Sequence, residues 1–552
     1  MAKLFVIAIG GTGMRCLESF VHLCAIGMFD NHEVDILTLD TDQSNGNKGR
    51  VEELIDIYNK VKSNDETKID GGTINRDTFF SAKLNLYKFY TNYGDQSRKS
   101  FKVLSHTSNN ETKGENKDVS DLFYDEATVQ EFELDHGYRA QTHLGSMLMY
   151  HGIIEAARNA RQKGDNAEDQ DRNLKAFLEK MQEAQNDARV FVFGSVFGGT
   201  GASSIPVIPV ALRDAAEILS DGHTLDLTNV KFGATLLTNY FSFNSPNAQY
   251  KAAQKVVADS NNFALNSQAA MQFYQADPTV KATYKRFYHI GWPMPKLDVG
   301  SKGDTITGGQ EQKNACHVVE LMCACAAYDF FTVEDAELSR PEAEYFYRSV
   351  GDEDGVLNFQ GNDFLTNGVL FENKLGAFFT FAHMVLSQSD AAWSDESDPN
   401  VGSHSFIALF DRQNIHDYDN ITLNQCKEIN DYLRFFGYKF NKDNTMVKGW
   451  IYQLYDSVKP GRFLFNEIAF KNMRQEMKSI SCGQLFIEPS HNWSKMEGVF
   501  NKSDNSVDEL AKILTEEKSK PRVADQMVNT TKEKFLAHIY NAITLKQKFE
   551  LK

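Results

Sequence analysis

The chain has 552 residues, 41% hydrophobic and 24% charged, a composition that excludes a wholly disordered protein and a length that spans two to four domains at about 150 residues each. The 58 Lys and Arg against 75 Asp and Glu leave a net charge of −17, which argues against nonspecific binding to nucleic acid or to an anionic membrane. Seven cysteines at irregular spacing (Cys16, Cys24, Cys316, Cys323, Cys325, Cys426, Cys482) form no disulfide framework, and Cys323-x-Cys325 inside an apolar run is poor zinc spacing, so no metal ligand is assigned.

At the N-terminus an apolar run over 4–9 is too short for a signal peptide. No stretch approaches the roughly 18 apolar residues of a membrane span, so a cytoplasmic protein without an integral membrane segment is expected. The same run suits a strand buried on both faces of a parallel sheet. Gly10-Gly11-Thr12-Gly13 turns the chain, residues 14–28 carry apolar side chains at helical spacing, and 34–39 form a second strand ending in Asp40-Thr41-Asp42. This is one βαβ unit, hence a right-handed crossover. Residues 44–136 are polar and read as an insertion with helices and one long exposed loop. A helix is expected over 137–160, and a charge-rich, solvated helix over 161–189.

A second strand–glycine–helix unit follows, with a strand over 189–193, a turn carrying Gly198-Gly199-Thr200-Gly201, and a helix over 202–218 in which Pro209 introduces a kink. Further strands are expected over 230–238 and 286–291, and a central helix, apolar nearly all round, over 314–331. Beyond about residue 336 a second, helix-rich α+β domain is expected to 490. It has helices over 376–387 and 426–436, a surface loop over 394–403, and strands near 406–410 and 484–487. A C-terminal extension over 491–552 ends in a helix from 530. No internal repeat is visible.

A glycine turn between a buried strand and a helix aims unpaired backbone N–H groups at the space above the helix N-terminus, a geometry that binds phosphate. Gly11-x-Gly13-x-x-Cys16 with Asp40 imitates a dinucleotide fingerprint, although Cys16 stands where Gly or Ala belongs and Asp40 comes later than the usual spacing. A turn chosen for packing alone is the plain alternative. The second loop changes the odds, because two helix N-termini can converge on one polyphosphate. No lysine follows Thr200 as a Walker loop requires. Thr200, Ser203 and Ser204 can bond phosphate oxygens or cap the helix, and capping suits the two serines better.

At these residues the sequence resembles the tubulin/FtsZ superfamily of filament-forming GTPases. VFVFGSVFGGTGASSIPVIPVAL looks like its signature loop; IGGTGMRC falls at its first phosphate loop, LDTDQSN after the second strand, GYRAQTHLG before the third crossover helix, and LLTNYFSF at the next strand. GGQEQKNACHVVELMCACAAYDFF is similar to the loop and helix entry of the divergent prokaryotic members. The ordered match covers roughly the first 335 residues. The resemblance implies a Rossmann-like nucleotide-binding domain over 1–335, GTP or GDP with Mg²⁺ held through the nucleotide, and head-to-tail self-association into filaments or rings. Other protein partners are left unspecified. It implies nucleotide contacts from Gly10, Gly11, Thr12, Gly13, Asp40, Thr41, Asp42, Gly198, Gly199, Thr200 and Gly201. Asn314 and Gln312 stand where base contact is needed. In place of the family's acidic hydrolysis pattern stands Thr332-Val333-Glu334-Asp335, which makes Glu334 and Asp335 the candidate water-positioning acids, with a solvated acidic loop as the alternative. Two other readings stay open: a non-hydrolysing scaffold subunit of the same fold, and an NAD-binding Rossmann oxidoreductase using the first loop and Asp40.

Overall fold

Strand β1 (Lys3–Ile9) is buried along six consecutive residues. Leu4, Val6 and Ala8 point into one core and Phe5, Ile7 and Ile9 into another, the alternation of a strand covered on both faces. A computed structural model describes residues 2–29, 32–62, 78–91, 122, 124, 138, 142–220, 229–242, 258–292, 308–349, 357–388, 423–441, 445–459, 463–464, 515 and 531–547. The helix α1 (Gly10–Ala25) starts at the first glycine rather than at residue 14, so the glycines form its first turn. The strand β2 (Glu33–Asp40) pairs in parallel with β1. Helix α2 (Gly46–Lys62) and strand β3 (Lys83–Tyr90) follow.

Both of those elements fall inside the stretch read as a polar insertion, and that reading is corrected: they are a crossover helix and an edge strand of the main sheet. The edge position explains the polar pattern, since only part of each is buried. Helix α3 (Thr142–Lys163) takes in the last four residues of the expected GYRAQTHLG turn. Helix α4 (Asp169–Ala184) buries Leu174, Phe177, Leu178 and Met181, so it is amphipathic rather than solvated all round. Then come β4 (Ala188–Phe193), the short α5 (Gly199–Ser204), α6 (Ile208–Leu219) and β5 (Lys231–Leu237). They are followed by α7 (Phe263–Ala276), α8 (Pro278–Thr283), β6 (Tyr284–Gly291), α9 (Val318–Thr332), α10 (Asp335–Leu338) and β7 (Glu344–Ser349).

The seven strands form one wholly parallel sheet in the order β3-β2-β1-β4-β5-β6-β7. The first six follow the order of a doubly wound dinucleotide fold, and β7 adds an edge. The architecture is Rossmann-like α/β. Helices α1, α2 and α9 share a core with one face, and α3, α4, α6 and α7 cover the other. The β6–β7 connection through α9 therefore crosses on the face opposite to the β4–β5 and β5–β6 connections. Its hand is opposite to theirs, an exception to the usual right-handed rule.

Two prolines break the helix after β4, and two tyrosines repair the damage. An α-helical N–H bonds the carbonyl four residues back. Pro206 and Pro209 therefore leave the carbonyls of Ala202 and Ile205 without helical donors. The buried hydroxyls of Tyr274 and Tyr284 donate to those two oxygens, the latter at 2.7 Å. The expected kink thus falls at residues 205–207, between α5 and α6.

The helix expected over 314–331 starts at Val318, because residues 314–317 lie outside any helix or strand and His317, itself extended, caps it. Beyond β7 come α11 (Gly361–Phe364), α12 (Gly368–Gln388), α13 (Leu423–Phe436), a small antiparallel pair β8 (Tyr438–Phe440) and β9 (Met446–Lys448), α14 (Trp450–Val458) and α15 (Thr531–Gln547). These elements extend the core shared by α1, α2 and α9. Trp450 Nε1 donates to Ser19 at 2.9 Å, His22 Nδ1 lies 2.9 Å from the Tyr432 hydroxyl, and Phe79 stacks on Phe381. The loop expected over 394–403 and the strands near 406–410 and 484–487 lie outside the described residues. Among the described residues, no helix is long and apolar enough to cross a membrane.

Candidate functional site

Strand order reverses between β1 and β4, and both strands run out into glycine loops. In an open parallel sheet the crevice outside the strand ends at that reversal is where ligands bind. Gly10 has φ +65°, a left-handed conformation that favours glycine. A Cβ there would lie 3.1 Å from Cβ of Thr200, so the two loops touch. At Gly13 a Cβ would sit 2.6 Å from the carbonyl oxygen of Phe193. Glycine is what lets the first turn of α1 pack directly on the end of β4. Gly11, Thr12, Gly198, Gly199 and Thr200 all stay partly accessible. The N-cap residue Ile9 makes no side-chain cap to α1, and the leading N–H groups of that helix carry the positive end of its dipole at the crevice.

The two loops are not equivalent. Helix α5 is only six residues long and contributes little dipole, whereas α1 runs for sixteen. A polyphosphate here would lean on α1, with Thr200 facing it from the second loop. Ser203 donates to the carbonyl oxygen of Thr200 at 3.0 Å, and both Ser203 and Ser204 are fully buried, which takes them out of contact with a ligand. Helix α3 also packs here: Ser146, in its second turn, donates to the Ser203 carbonyl at 2.8 Å.

Asp40 and Asp42 close the crevice on the β2 side, both buried. Asp40 Oδ1 accepts from the N–H groups of Thr41 at 2.7 Å and Asp42 at 3.3 Å. Its carboxyl is pushed up to about 7, chiefly by burial and then by the charge of Asp42. It holds a turn and does not offer an exposed carboxylate to a ribose. Among the described residues, Oδ2 of Asp40 and the Thr41 hydroxyl are buried without a hydrogen-bond partner. Asp42 accepts from Ser44 through N–H and hydroxyl, and from the Gly309 N–H at 2.6 Å.

That last bond begins a row of contacts that sequence reasoning missed apart from two of its members. The segment 309–315 is fastened along the start of α2. The Gly46 N–H bonds the Gly309 carbonyl, and Asn45 Nδ2 donates to Gln312 Oε1 at 2.6 Å. Asn47 and Asn314 bond reciprocally at 2.9 and 3.1 Å, and Arg50 donates to the Asn314 carbonyl. A Cβ on Gly11 would lie 3.3 Å from both Asn45 Nδ2 and Gln312 Oε1. Gln312 therefore stands at the first glycine loop. The amide oxygen of Asn314 is already engaged by Asn47. The signal that could have revealed this was the Asn45-Gly46-Asn47 triplet just after β2.

Beneath the segment lies a buried charge cluster. Arg15 pairs with Glu320 at 2.5 Å, the Tyr240 hydroxyl donates to Glu320 at 2.6 Å, and Arg15 also donates to the Ala315 carbonyl. Arg50 pairs with Glu18. Removing one partner of such a buried pair costs several kcal/mol, on the order of 3–5, because the other charge is left uncompensated. The cluster fixes α1, α2 and the entry of α9 against one another.

Glu334 and Asp335 lie elsewhere. Asp335 accepts from Arg189 and Lys231, each at 2.7 Å, at the start of β4 and β5. That is the opposite end of the sheet from the glycine loops. Its carboxyl is held below the usual range, first by the hydrogen bond from Lys231 and then by that from Arg189. Glu334 is exposed beside it. Within one subunit neither acid reaches the crevice. Among the described residues, no group of three or more His, Cys, Asp or Glu is arranged to hold a metal ion.

Fold and crevice together define an α/β protein of Rossmann-like type with a doubled glycine mouth at the switch point. No protein-family model, curated protein or solved structure matches the chain.

Proposed function

We propose that this chain is a tubulin/FtsZ-like nucleotide-binding protein that takes GTP or GDP, with Mg²⁺ held through the nucleotide, and assembles head-to-tail into filaments or rings. The observation that carries the reading is the meeting of the two glycine loops at the switch point, where a Cβ on Gly10 would lie 3.1 Å from Cβ of Thr200. A dinucleotide enzyme needs only the first loop and an accessible acid after β2; here that acid is buried and bonded to its own turn. In the proposed complex the first-turn N–H groups of α1 bind phosphate oxygens, the Thr200 hydroxyl faces them, and Gln312 flanks the nucleotide beside Gly11. The preference for guanine rests on the family resemblance.

Assembly follows from the separation of the acids from the crevice. A subunit stacked with its β4 and β5 N-terminal ends over its neighbour's glycine mouth brings Glu334 and Asp335 to the neighbour's nucleotide. That contact is heterologous and propagates unless its rotation closes a ring. A second reading, a non-hydrolysing scaffold subunit, is favoured by the commitment of Asp335 to Arg189 and Lys231. Calorimetry with GTP, ATP and NAD, followed by phosphate release against protein concentration, separates the readings. Tight NAD binding with no nucleoside triphosphate binding refutes the main one. Binding without turnover selects the scaffold.

A further inference from the structure

The sheet ends at β7, and among the described residues no strand pairs with its outer edge. An open edge presents unpaired N–H and C=O groups, and proteins usually blunt it with lysines, prolines or bulges. The other edge strand, β3, carries Lys83 and Lys88. Strand β7 has neither lysine nor proline, and its register with β6 runs unbroken from Glu344 to Ser349. Its side chains divide between two faces. Tyr345 and Tyr347 share one face, 42% and 73% exposed, lying on Phe287 and His289 of β6. Glu344, Phe346 and Arg348 share the other, where Phe346 stacks on Tyr288.

We infer that this edge is an isologous interface: β7 pairs antiparallel with β7 of a second copy of the chain, about a two-fold axis through Phe346. The strand is complementary to itself in that register. Glu344 lies opposite Arg348 of the second copy, Tyr345 opposite Tyr347, and Phe346 opposite its own counterpart, so the opposed pairs from Glu344 to Arg348 are charge-matched or aromatic, while Ser349 falls opposite Ala343. A slip of two residues, the smallest that keeps both faces in order, sets Glu344 or Arg348 against Phe346. The strand contributes one acid and one base, a locally neutral edge on a chain of net charge −17. The pairing joins two seven-stranded sheets edge to edge. Being two-fold, it closes at two copies, unlike a head-to-tail contact, and it does not depend on nucleotide.

The test is sedimentation equilibrium of the full chain without added nucleotide across the micromolar range. Wild type is expected to form a dimer that does not grow further. Tyr345→Lys/Tyr347→Lys sets lysine against lysine twice and should weaken dimerisation by about tenfold or more. Tyr345→Lys/Tyr347→Glu sets opposite charges against each other at the same exposed positions and should restore it. Both side chains are exposed, so circular dichroism should find both variants folded. A wild type monomeric throughout, a Lys/Lys variant that dimerises as tightly as wild type, or a Lys/Glu variant as weak as Lys/Lys each overturns the pairing.

Discussion

His317→Asn should change how stability depends on pH. His317 is buried at the entry of α9, where Nδ1 accepts from the Val319 N–H at 3.3 Å. Burial first, and then the charge of Arg15, lowers its pKa to about 3, against about 6.5 in an unfolded chain. Between those values only the unfolded chain binds the proton, so stability is fully present above about 6.5 and falls as pH drops. From 6.5 to pH 5 is 1.5 units; at about 1.4 kcal/mol per unit the histidine withdraws about 2 kcal/mol. Asn keeps a cap acceptor and does not titrate. The wild-type curve alone cannot display the effect. Asp40, raised to about 7, binds its proton in the folded chain first and stabilises the fold over the same interval. Subtracting the variant's curve cancels Asp40. Urea unfolding of both proteins at pH 7 and pH 5 should give a difference that shrinks by about 2 kcal/mol in favour of the variant at the lower pH. Parallel curves would show that His317 is not held neutral in the fold.

Tyr284→Phe leaves the Ile205 carbonyl without a donor and should cost about 1–3 kcal/mol; adding Pro209→Ala returns a helical N–H to that oxygen, and failure to recover stability in denaturant titrations would reject the repair argument. Gly13→Ala pushes a methyl into the Phe193 carbonyl and should lower stability by about 1–3 kcal/mol. Gly11→Val meets only side-chain tips, so it should spare the fold, read by thermal unfolding, while weakening GTP by about tenfold or more in calorimetry. Normal GTP affinity in Gly11→Val would make that loop structural. Glu334→Ala/Asp335→Ala should abolish turnover while leaving nucleotide affinity intact and polymers longer-lived. Phosphate release equal to wild type would remove both acids from the mechanism.

The sequence determined those parts of this protein that are written within a few neighbouring residues. The continuous apolar run of β1, the glycines at the head of α1, the second unit at β4 and the apolar central helix are local patterns, and they were legible with small shifts of boundary. So was the kink, because proline removes its own N–H wherever it stands. Tertiary structure decided what depends on partners distant in the chain. Strand β3 looked like insertion because an edge strand needs only part of its surface buried. Strand β7 escaped notice because nothing in EYFYRS says that β6 will lie beside it. The glycine loops were visible, but the fastening of 309–315 to Asn45, Asn47 and Arg50 was not, since a hydrogen bond between residues some 267 positions apart leaves no periodicity to read. Asp40 shows the same limit at one residue. Its place at the end of β2 was evident, yet only the tertiary structure buries it beside Asp42, where it braces its own turn.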